Sequence, residues 1–331
     1  MATLRDLRKR LKAVRSTEKI TKAMKMVAAS KLKRAQDSII QARPYALRMS
    51  EVLQHIVSRS DLEGHPLLTA RVPHRIEILM ITSDRGLCGS FNSNIIRTAE
   101  RFIVNNADTY DAIKLSTIGK KGKDHFTRKG TSLHANFEDV FTDLRFERAA
   151  EIAADLSGRF RTGEIDAVYL LYNEFKSAIS QDVVLKQILP VLPLDDWEHD
   201  PTVRIGELAA ISGDARAVAG TGSDLEDEDA PDWNPSEKLE HQVDGYEHEY
   251  EPSREAVLDA LLPQHIGIQV FRALLESVAS EHGARMSAMD AASRNAKDMI
   301  GKLVLKINRA RQAAITTELS EIVSGAESLK G

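Results

Sequence analysis

The sequence predicts an α/β protein: a long antiparallel coiled coil of N- and C-terminal helices, plus a central α/β domain. Three observations predict it. Apolar residues recur at threes and fours near both ends of the chain, and in the middle they collect into short β-branched runs. Only 17 of the 331 residues are aromatic, thin for two compact cores but usual for long helices.

From Leu4 to about Val57 the apolar residues begin as Leu4, Leu7, Leu11 and Val14. After a phase shift around Ile20 and Met24 they continue as Ala28, Leu32, Ala35, Ile39, Ala42, Ala46, Met49, Leu53 and Ile56. This is a heptad-like seam of the kind that pairs helices. Pro44 interrupts the helix but not the phase of the seam, so a kink is expected there and not a stop. Residues 1–60 are assigned to this helix, roughly 80 Å long at the standard rise. They hold 15 Lys/Arg against 4 Asp/Glu, a charge of +11.

Residues 70–194 change period. The runs Ile76–Thr82, Ile113–Ile118 and Ala167–Tyr172 read as strands, and helical patterns fall near Asn94–Val104, Gly119–Arg128 and Arg145–Arg161. Strands alternating with helices predict a Rossmann-like layer with a largely parallel sheet. A further strand or hairpin is expected within 178–192.

Residues 195–249 lack periodicity and include the acidic run Asp224–Asp229. Across 195–251 the count is 3 Lys/Arg against 18 Asp/Glu, a charge of −15, which predicts a flexible acidic insertion. Residues 250–331 return to the helical period. Pro252-Ser253 supplies a stop and an N-cap with Glu255 in the first turn, and the seam runs Met289, Ala292, Ala296, Met299, Leu303, Ile307, Ala310. Pro263 is expected to break off the first turns and Gly325 to end the helix. One seam at each end of the chain predicts that the two helices pair antiparallel.

Catalytic chemistry is hard to find. Gly158–Gly163 has P-loop glycine spacing, but Glu164 stands where the lysine is needed, and Gly119-Lys-Lys-Gly-Lys lacks the dinucleotide fingerprint. Asp84, Arg85, Gly86, Cys88 and Gly89 lie in a strand-to-helix connection that reads as a structural turn. Its two glycines would supply unusual backbone angles, and no histidine nearby in sequence would activate the Cys88 thiol. Cys88 is the sole cysteine, so a disulfide framework is excluded. The histidines show no metal-ligand spacing. The basic first helix suits an acidic protein surface as well as nucleic acid. No apolar run reaches the roughly 20 residues that cross a bilayer, and neither a secretory signal nor a transit peptide is expected at the N-terminus. Two long helices beside one modest domain must project. Their far ends keep Met24, Met26, Val27, Ile315, Leu319 and Ile322, so something should enclose them.

Three stretches carry a family resemblance. Lys19–Lys31 (KITKAMKMVAASK) resembles the N-terminal helix of gamma subunits of F-type rotary ATP synthases. Ser83–Gly89 (SDRGLCG) resembles their strand–turn motif, and Ile315–Ala326 (ITTELSEIVSGA), preceded by Ala310-Arg311-Gln312, resembles their C-terminal signature. The resemblance spans about 1–194 and 250–328. It implies a non-catalytic central rotor shaft without catalytic, cofactor or metal residues. Its partners would be the α and β subunits of the catalytic ring, the epsilon subunit and the membrane c-ring, with no nucleic acid and no direct membrane insertion. The location implied is the cytoplasmic face of a bacterial inner membrane. Met24, Arg311, Gln312, Thr316 and Glu318 would meet the β subunits, and Tyr250 and Glu251 the c-ring and epsilon subunit. Chloroplast members of the family carry a regulatory cysteine pair where 195–249 lies. Here no cysteine stands there, so any weak regulatory or assembly role of the insertion cannot use thiols. The rival expectations are a nucleotide hydrolase built on the α/β domain and a free-standing coiled-coil adaptor.

Overall fold

The computed structural model describes residues 3–57, 65–178, 180–191, 203–204, 251 and 253–328. The order of elements is α1 (Leu4–Val57), β1 (Arg75–Ile81), α2 (Phe91–Asn105), β2 (Ala112–Ile118), α3 (Lys120–Lys129), β3 (Asn136–Phe137), α4 (Phe146–Arg161), β4 (Ala167–Phe175), β5 (Gln181–Leu189), β6 (Val203–Arg204) and α5 (Arg254–Ser328). Contacts divide the chain into two compact units. Unit 1 is Met1–Ser30 with Arg285–Gly331, and unit 2 is Lys31–Ala284.

Unit 2 is built on a six-stranded sheet in the order β3-β2-β1-β4-β5-β6. The first four strands are parallel, and β5 and β6 add on antiparallel. One face of the sheet packs against α4, the C-terminal part of α1 and the first part of α5, through Leu53, Ile56, Leu79, Leu156, Phe160, Leu170, Leu262 and Ile266. The other face packs against α2 and α3, through Ile78, Met80, Phe91, Ile95 and Phe126. Burial on both faces explains why β1 and β4 read as nearly continuous apolar runs instead of alternating ones. The segment 178–192 contributes β5, so the expected hairpin is β4–β5.

Unit 1 is a pair of antiparallel helices. Thr21 Oγ1 lies 2.7 Å from Ser293 Oγ, and Lys25 Nζ donates to Asp290 Oδ1 at 2.5 Å, so ascending positions on α1 meet descending ones on α5. The expected phase shift near Ile20 and Met24 does not occur. Leu7, Thr21, Ala28, Leu32, Ala35, Ile39, Met49, Leu53 and Ile56 are buried, and Leu11, Val14, Glu18, Lys25, Ala42 and Ala46 are partly so. These positions form one unbroken heptad series in which Glu18, Thr21 and Lys25 take seam places as polar residues. Counting apolar residues alone made the seam look broken. On α5 the seam is Met289, Ser293, Ala296, Ile300, Leu303, Ile307 and Ala310, while Met299 is 49% exposed. A strict seven-residue repeat winds such a pair left-handed.

Neither proline ends a helix: Pro44 lies inside α1 and Pro263 inside α5. Pro44 removes a bond to the carbonyl of Ile40, and both residues face solvent, where water satisfies that carbonyl. Pro263 removes one to exposed Asp259, so the expected loss of the first turns of α5 is corrected. Gly325 does not end the helix either, since α5 runs to Ser328. A glycine costs about 1 kcal/mol in a helix, but stops one where it turns left-handed. Ser253 caps α5 as expected, its Oγ accepting from the Ala256 N–H at 3.2 Å. Apart from Val203–Arg204, paired to β5, the 195–249 insertion lies outside the described residues.

Candidate functional site

In an open parallel sheet, ligands bind beyond the carboxyl ends of the strands where the strand order reverses. Here the reversal lies between β1 and β4, and the connection after β1 (Thr82–Ser90) leads into α2 while bonding to the start of α3, which follows β2. The first three backbone donors of α3 have partners from this connection. Lys120 N donates to Asp84 Oδ1 at 3.0 Å, Lys121 N to the Ser83 carbonyl at 3.0 Å, and Gly122 N to Thr82 Oγ1 at 2.9 Å. Asp84 thus supplies the negative charge that a helix N-terminus favours. Gly119, at φ +92°, lets this approach happen: a Cβ there would stand 2.0 Å from the Thr82 carbonyl oxygen.

The rest of the connection is bound into itself. Asn92 Oδ1 accepts from Ser83 N at 2.9 Å, Asn92 Nδ2 reaches Cys88 Sγ at 3.2 Å, and Ser83 Oγ donates to the Arg85 carbonyl at 2.6 Å. Cys88 is buried, as a small packed residue would be. The expectation that two glycines supply the unusual angles is half right. Gly89 has φ +56°, but the second left-handed residue is Leu87 at φ +64°, not Gly86. Leu87 is 65% exposed, so its side chain meets no crowding there. Arg85 and Gly86 are exposed at the surface of the turn.

Two concave features elsewhere among the described residues are open to solvent. One of about 540 Å³ is lined by Lys123, Thr127 and Gly130–Asn136, and Lys123 in it pairs with Glu138. Among the described residues no group of three His, Cys, Asp or Glu could hold a metal ion, and no helix is long and apolar enough to cross a membrane.

The conspicuous free surface is helical. The register set by Thr21–Ser293 and Lys25–Asp290 brings Leu4 opposite about Ala310, so α5 beyond that point has no α1 partner. Arg311, Gln312, Thr316 and Glu318 all lie on this single-helix stretch and all are exposed. Thr316 Oγ1 donates back to the Gln312 carbonyl at 3.0 Å. Ile315, Leu319, Ile322 and Val323 on the same stretch are half exposed or more, as are Ile20, Met26 and Val27 on α1. Met24 is half-buried, one residue before the Lys25–Asp290 pair. Glu251 is exposed just before α5, and Tyr250 lies outside the described residues. The polar seam residues Glu18, Thr21, Lys25 and Ser293 were missed in sequence, and extending the heptad count through polar positions would have found them; Asp290, beside the seam, pairs with Lys25.

A doubly wound sheet whose β1 connection is bonded to the start of α3, and a paired-helix unit with apolar residues left outside its seam, define a class of protein that works through helical surfaces. Comparison with known proteins narrows the class. The sequence model of the ATP synthase family matches residues 3–329. The ATP synthase gamma chain of Anaeromyxobacter sp. (strain Fw109-5) is 47% identical over the whole of both chains, and that of Geotalea uraniireducens (strain Rf4) 45%, again over the whole of both. The central stalk/c-ring structure of the Tetrahymena thermophila mitochondrial ATP synthase contains a chain 28% identical, covering 83% of this chain and 99% of that one, with a TM-score of 0.55. The chain belongs to the ATP synthase gamma-chain family, and so is a component of an enzyme complex. Relatives of the same length align from end to end, so the 195–249 segment is not an insertion peculiar to this chain.

Proposed function

We propose that the chain is the central rotor shaft of an ion-driven ATP synthase, turned by the c-ring and turning within a ring of α and β subunits. The observation that carries the reading is the band of exposed apolar residues on unit 1. Water alone disfavours Ile315, Leu319, Ile322, Val323, Met26 and Val27 at such exposure. A surrounding sleeve of subunits would gain roughly 1 kcal/mol for each by burying what remains exposed. Met24, Arg311, Gln312, Thr316 and Glu318 are the residues assigned to the β subunits. The charge of +11 over residues 1–60 suits acidic loops on that partner, setting register and encounter more than raw affinity. Tyr250 and Glu251 are assigned to the foot that meets the c-ring and epsilon subunit. Asp84, Arg85, Gly86, Cys88 and Gly89 are assigned to the structural turn between β1 and α2.

In this reading the chain carries no catalytic residue of its own. Its α/β unit would serve as the mount, with the first donors of α3 bonded to Asp84, Ser83 and Thr82 of the neighbouring connection. It sits peripherally on the cytoplasmic face of a bacterial inner membrane, held there by its partners. Mechanically, successive orientations of an asymmetric shaft would offer each β subunit a different face of the helices.

The test is direct. With the α and β subunits immobilised, a bead attached to unit 2 of the assembled complex should rotate stepwise while ATP is hydrolysed. The isolated full chain should show no ATP binding by calorimetry. Steady hydrolysis without rotation of this chain would overturn the rotor reading, and saturable ATP binding by the chain alone would revive the hydrolase.

A further inference from the structure

The helix α5 runs unbroken from Arg254 to Ser328 and passes from unit 2 into unit 1 after Ala284. Its last turns inside unit 2 carry small buried residues, Ser277, Ser280, Gly283 and Ala284. Small side chains let a helix backbone come close to a neighbour, and here the neighbour is the β4–β5 hairpin. Ser280 Oγ donates to the Asn173 carbonyl on β4 at 3.2 Å. Ala284 joins the apolar cluster that holds Val183 and Leu185 of β5. A Cβ on Gly283 would stand 3.2 Å from the Ala178 carbonyl oxygen, 3.3 Å from the Ala178 Cα and 3.5 Å from Gln181 Nε2. The helix therefore rests on the backbone of the hairpin turn, with no yielding side chain between them. Glycine is otherwise a poor residue for a helix interior. Gly301, further along α5, shows the contrast, since a Cβ there would meet nothing within 4 Å.

The turn is braced from within. Ser177 N donates to the Ser180 carbonyl at 3.0 Å, and Ser180 N donates to Ser177 Oγ at 3.0 Å. Gln181 Nε2 donates to the Ala178 carbonyl at 3.1 Å, and Lys176 pairs with Asp182. Bonds on either side of Ala178 thus hold the part of the turn that meets Gly283. Backbone atoms in close contact have no rotamers through which to yield, so such a contact transmits strain. A braced turn pressed on a helix backbone resists both sideways shift and twist of that helix.

We propose that the β4–β5 hairpin is a clamp on α5, seated on Gly283, that sets how far along the helix the α/β body grips before α5 enters unit 1. The grip itself rests on the Gly283–Ala178 and Ser280–Asn173 contacts, and its mechanical consequence rests on the rotor reading. A torque on the body enters α5 through the surfaces that hold it. With the clamp seated, the hold reaches Ala284. Without it, the hold falls back to Leu274, the last α5 residue in the core shared with α4 and α1. The freed stretch lengthens the unsupported helix, which then twists and bends further under the same load. Gly283 and Ala178 are positioning residues in this scheme, and neither touches a nucleotide.

The experiment has two arms. The first is amide hydrogen exchange on the full chain alone, comparing Gly283→Val, which forces a branched side chain against Ala178, with Gly301→Val, the same change in open space. Exchange at 277–284 and at Ser180 and Gln181 should rise about tenfold in Gly283→Val and keep the wild-type rate in Gly301→Val. Unchanged exchange in Gly283→Val overturns the clamp. The second arm uses the assembled complex with the α and β subunits immobilised, a bead on unit 2 and no ATP turnover. Angular variance of the bead should grow about twofold in Gly283→Val alone, while unloaded ATP hydrolysis stays near wild type. Equal variance in the two variants overturns the mechanical role. If Gly283→Val does not fold, Ala178→Cys with Gly283→Cys decides. The two Cα atoms lie within about 5 Å, inside disulfide reach, and the native Cys88 is buried. Oxidation should bring the variance to the wild-type value or below and preserve hydrolysis. Hydrolysis lost on oxidation and recovered on reduction would mean that the hairpin must leave α5 during turnover, which overturns a fixed clamp. A wild-type bead that never turns during hydrolysis defeats the rotor reading instead, and exchange then decides the clamp alone.

Discussion

The two units use the same kinds of residue to opposite ends. In unit 2, Leu79, Ile81, Ile95, Phe126 and Phe160 disappear between sheet and helices. Even its polar groups are drawn inward, with Glu77 fully buried between Ser116 and Arg159. In unit 1 the seam is narrow and partly polar, and Ile322 on the outer face is 67% exposed. Unit 2 is thus complete as a packed body, while unit 1 is complete as a helix pair but not as a surface. Stability should depend on unit 2, and assembly on unit 1.

The largest effect should come from breaking the body. Gly119→Ala places a Cβ against the Thr82 carbonyl at a left-handed backbone position. Since neither strand end nor helix start can withdraw without losing the α3 donors' partners, the cost should exceed roughly 3 kcal/mol. Gly130→Ala is the control: φ is +77° but the space is open, so about 1 kcal/mol is expected. Chemical denaturation of the full chain would measure both. Similar costs would show that Gly119 does not fit closely against the Thr82 carbonyl.

Next in size is an acid effect confined to unit 2. The buried His265 ring is neutral when folded, because burial and then Lys186 lower it from 6.5 to about 4. Unfolding lets it take up a proton, so its contribution is full above pH 6.5 and falls away as pH drops towards about 4. The loss should approach 3 kcal/mol, an order-of-magnitude figure. Relative to wild type, His265→Gln should therefore gain stability steadily over that interval. A constant difference between the two, measured by urea unfolding across the range, would mean that the ring is reached by water when folded.

Unit 1 should respond the other way round. Leu319→Asp with Ile322→Asp alters exposed positions, so the chain's own unfolding should barely move. Assembly with the α and β subunits should weaken about tenfold, near 1.4 kcal/mol. Unchanged assembly would mean that the apolar band on α5 is not enclosed.

The contrast between the units also explains what could be read in the sequence. Strands such as Ile76–Thr82 were legible because burial on both faces leaves an apolar run with no other use. The helices around them followed from their amphipathic period to within three residues at any end. The turn at Asp84–Gly89 was legible as a turn, but not its hydrogen bonds to α3, because partners 36 residues apart leave no spacing pattern. Nor could sequence place the left-handed angle on Leu87 instead of Gly86, since exposure is what makes a leucine tolerable there. Unit 1 misled the reading at Thr21 and Ser293. A hydroxyl pair satisfies itself across the seam, so polar residues occupy places that an apolar count treats as gaps.

The smallest effect tests whether those polar seam places hold the helices or merely register them. Lys25 and Asp290 are 43% and 28% exposed, and Asp290 also accepts from Arg294 at 2.6 Å. The hydrogen bond from Lys25 holds the Asp290 carboxyl below its ordinary value, against a smaller penalty of burial. Whatever the pair contributes is therefore present above the ordinary carboxylate pKa and lost as pH falls through the folded one. Water reaches both side chains, and Arg294 remains to pair with Asp290 when Lys25 is removed. A double-mutant cycle of Lys25→Ala and Asp290→Ala should accordingly give about 0.5 kcal/mol of coupling. Amide exchange around Ala28 and Ala292 is the right measurement, because global unfolding would report the sturdier unit 2. In about 1 M salt, where screening acts within ~3 Å, most of the coupling should vanish. A salt-insensitive coupling above roughly 2 kcal/mol would mean that charge, not the apolar seam residues Ala28, Ala296 and Leu303, holds the two helices together.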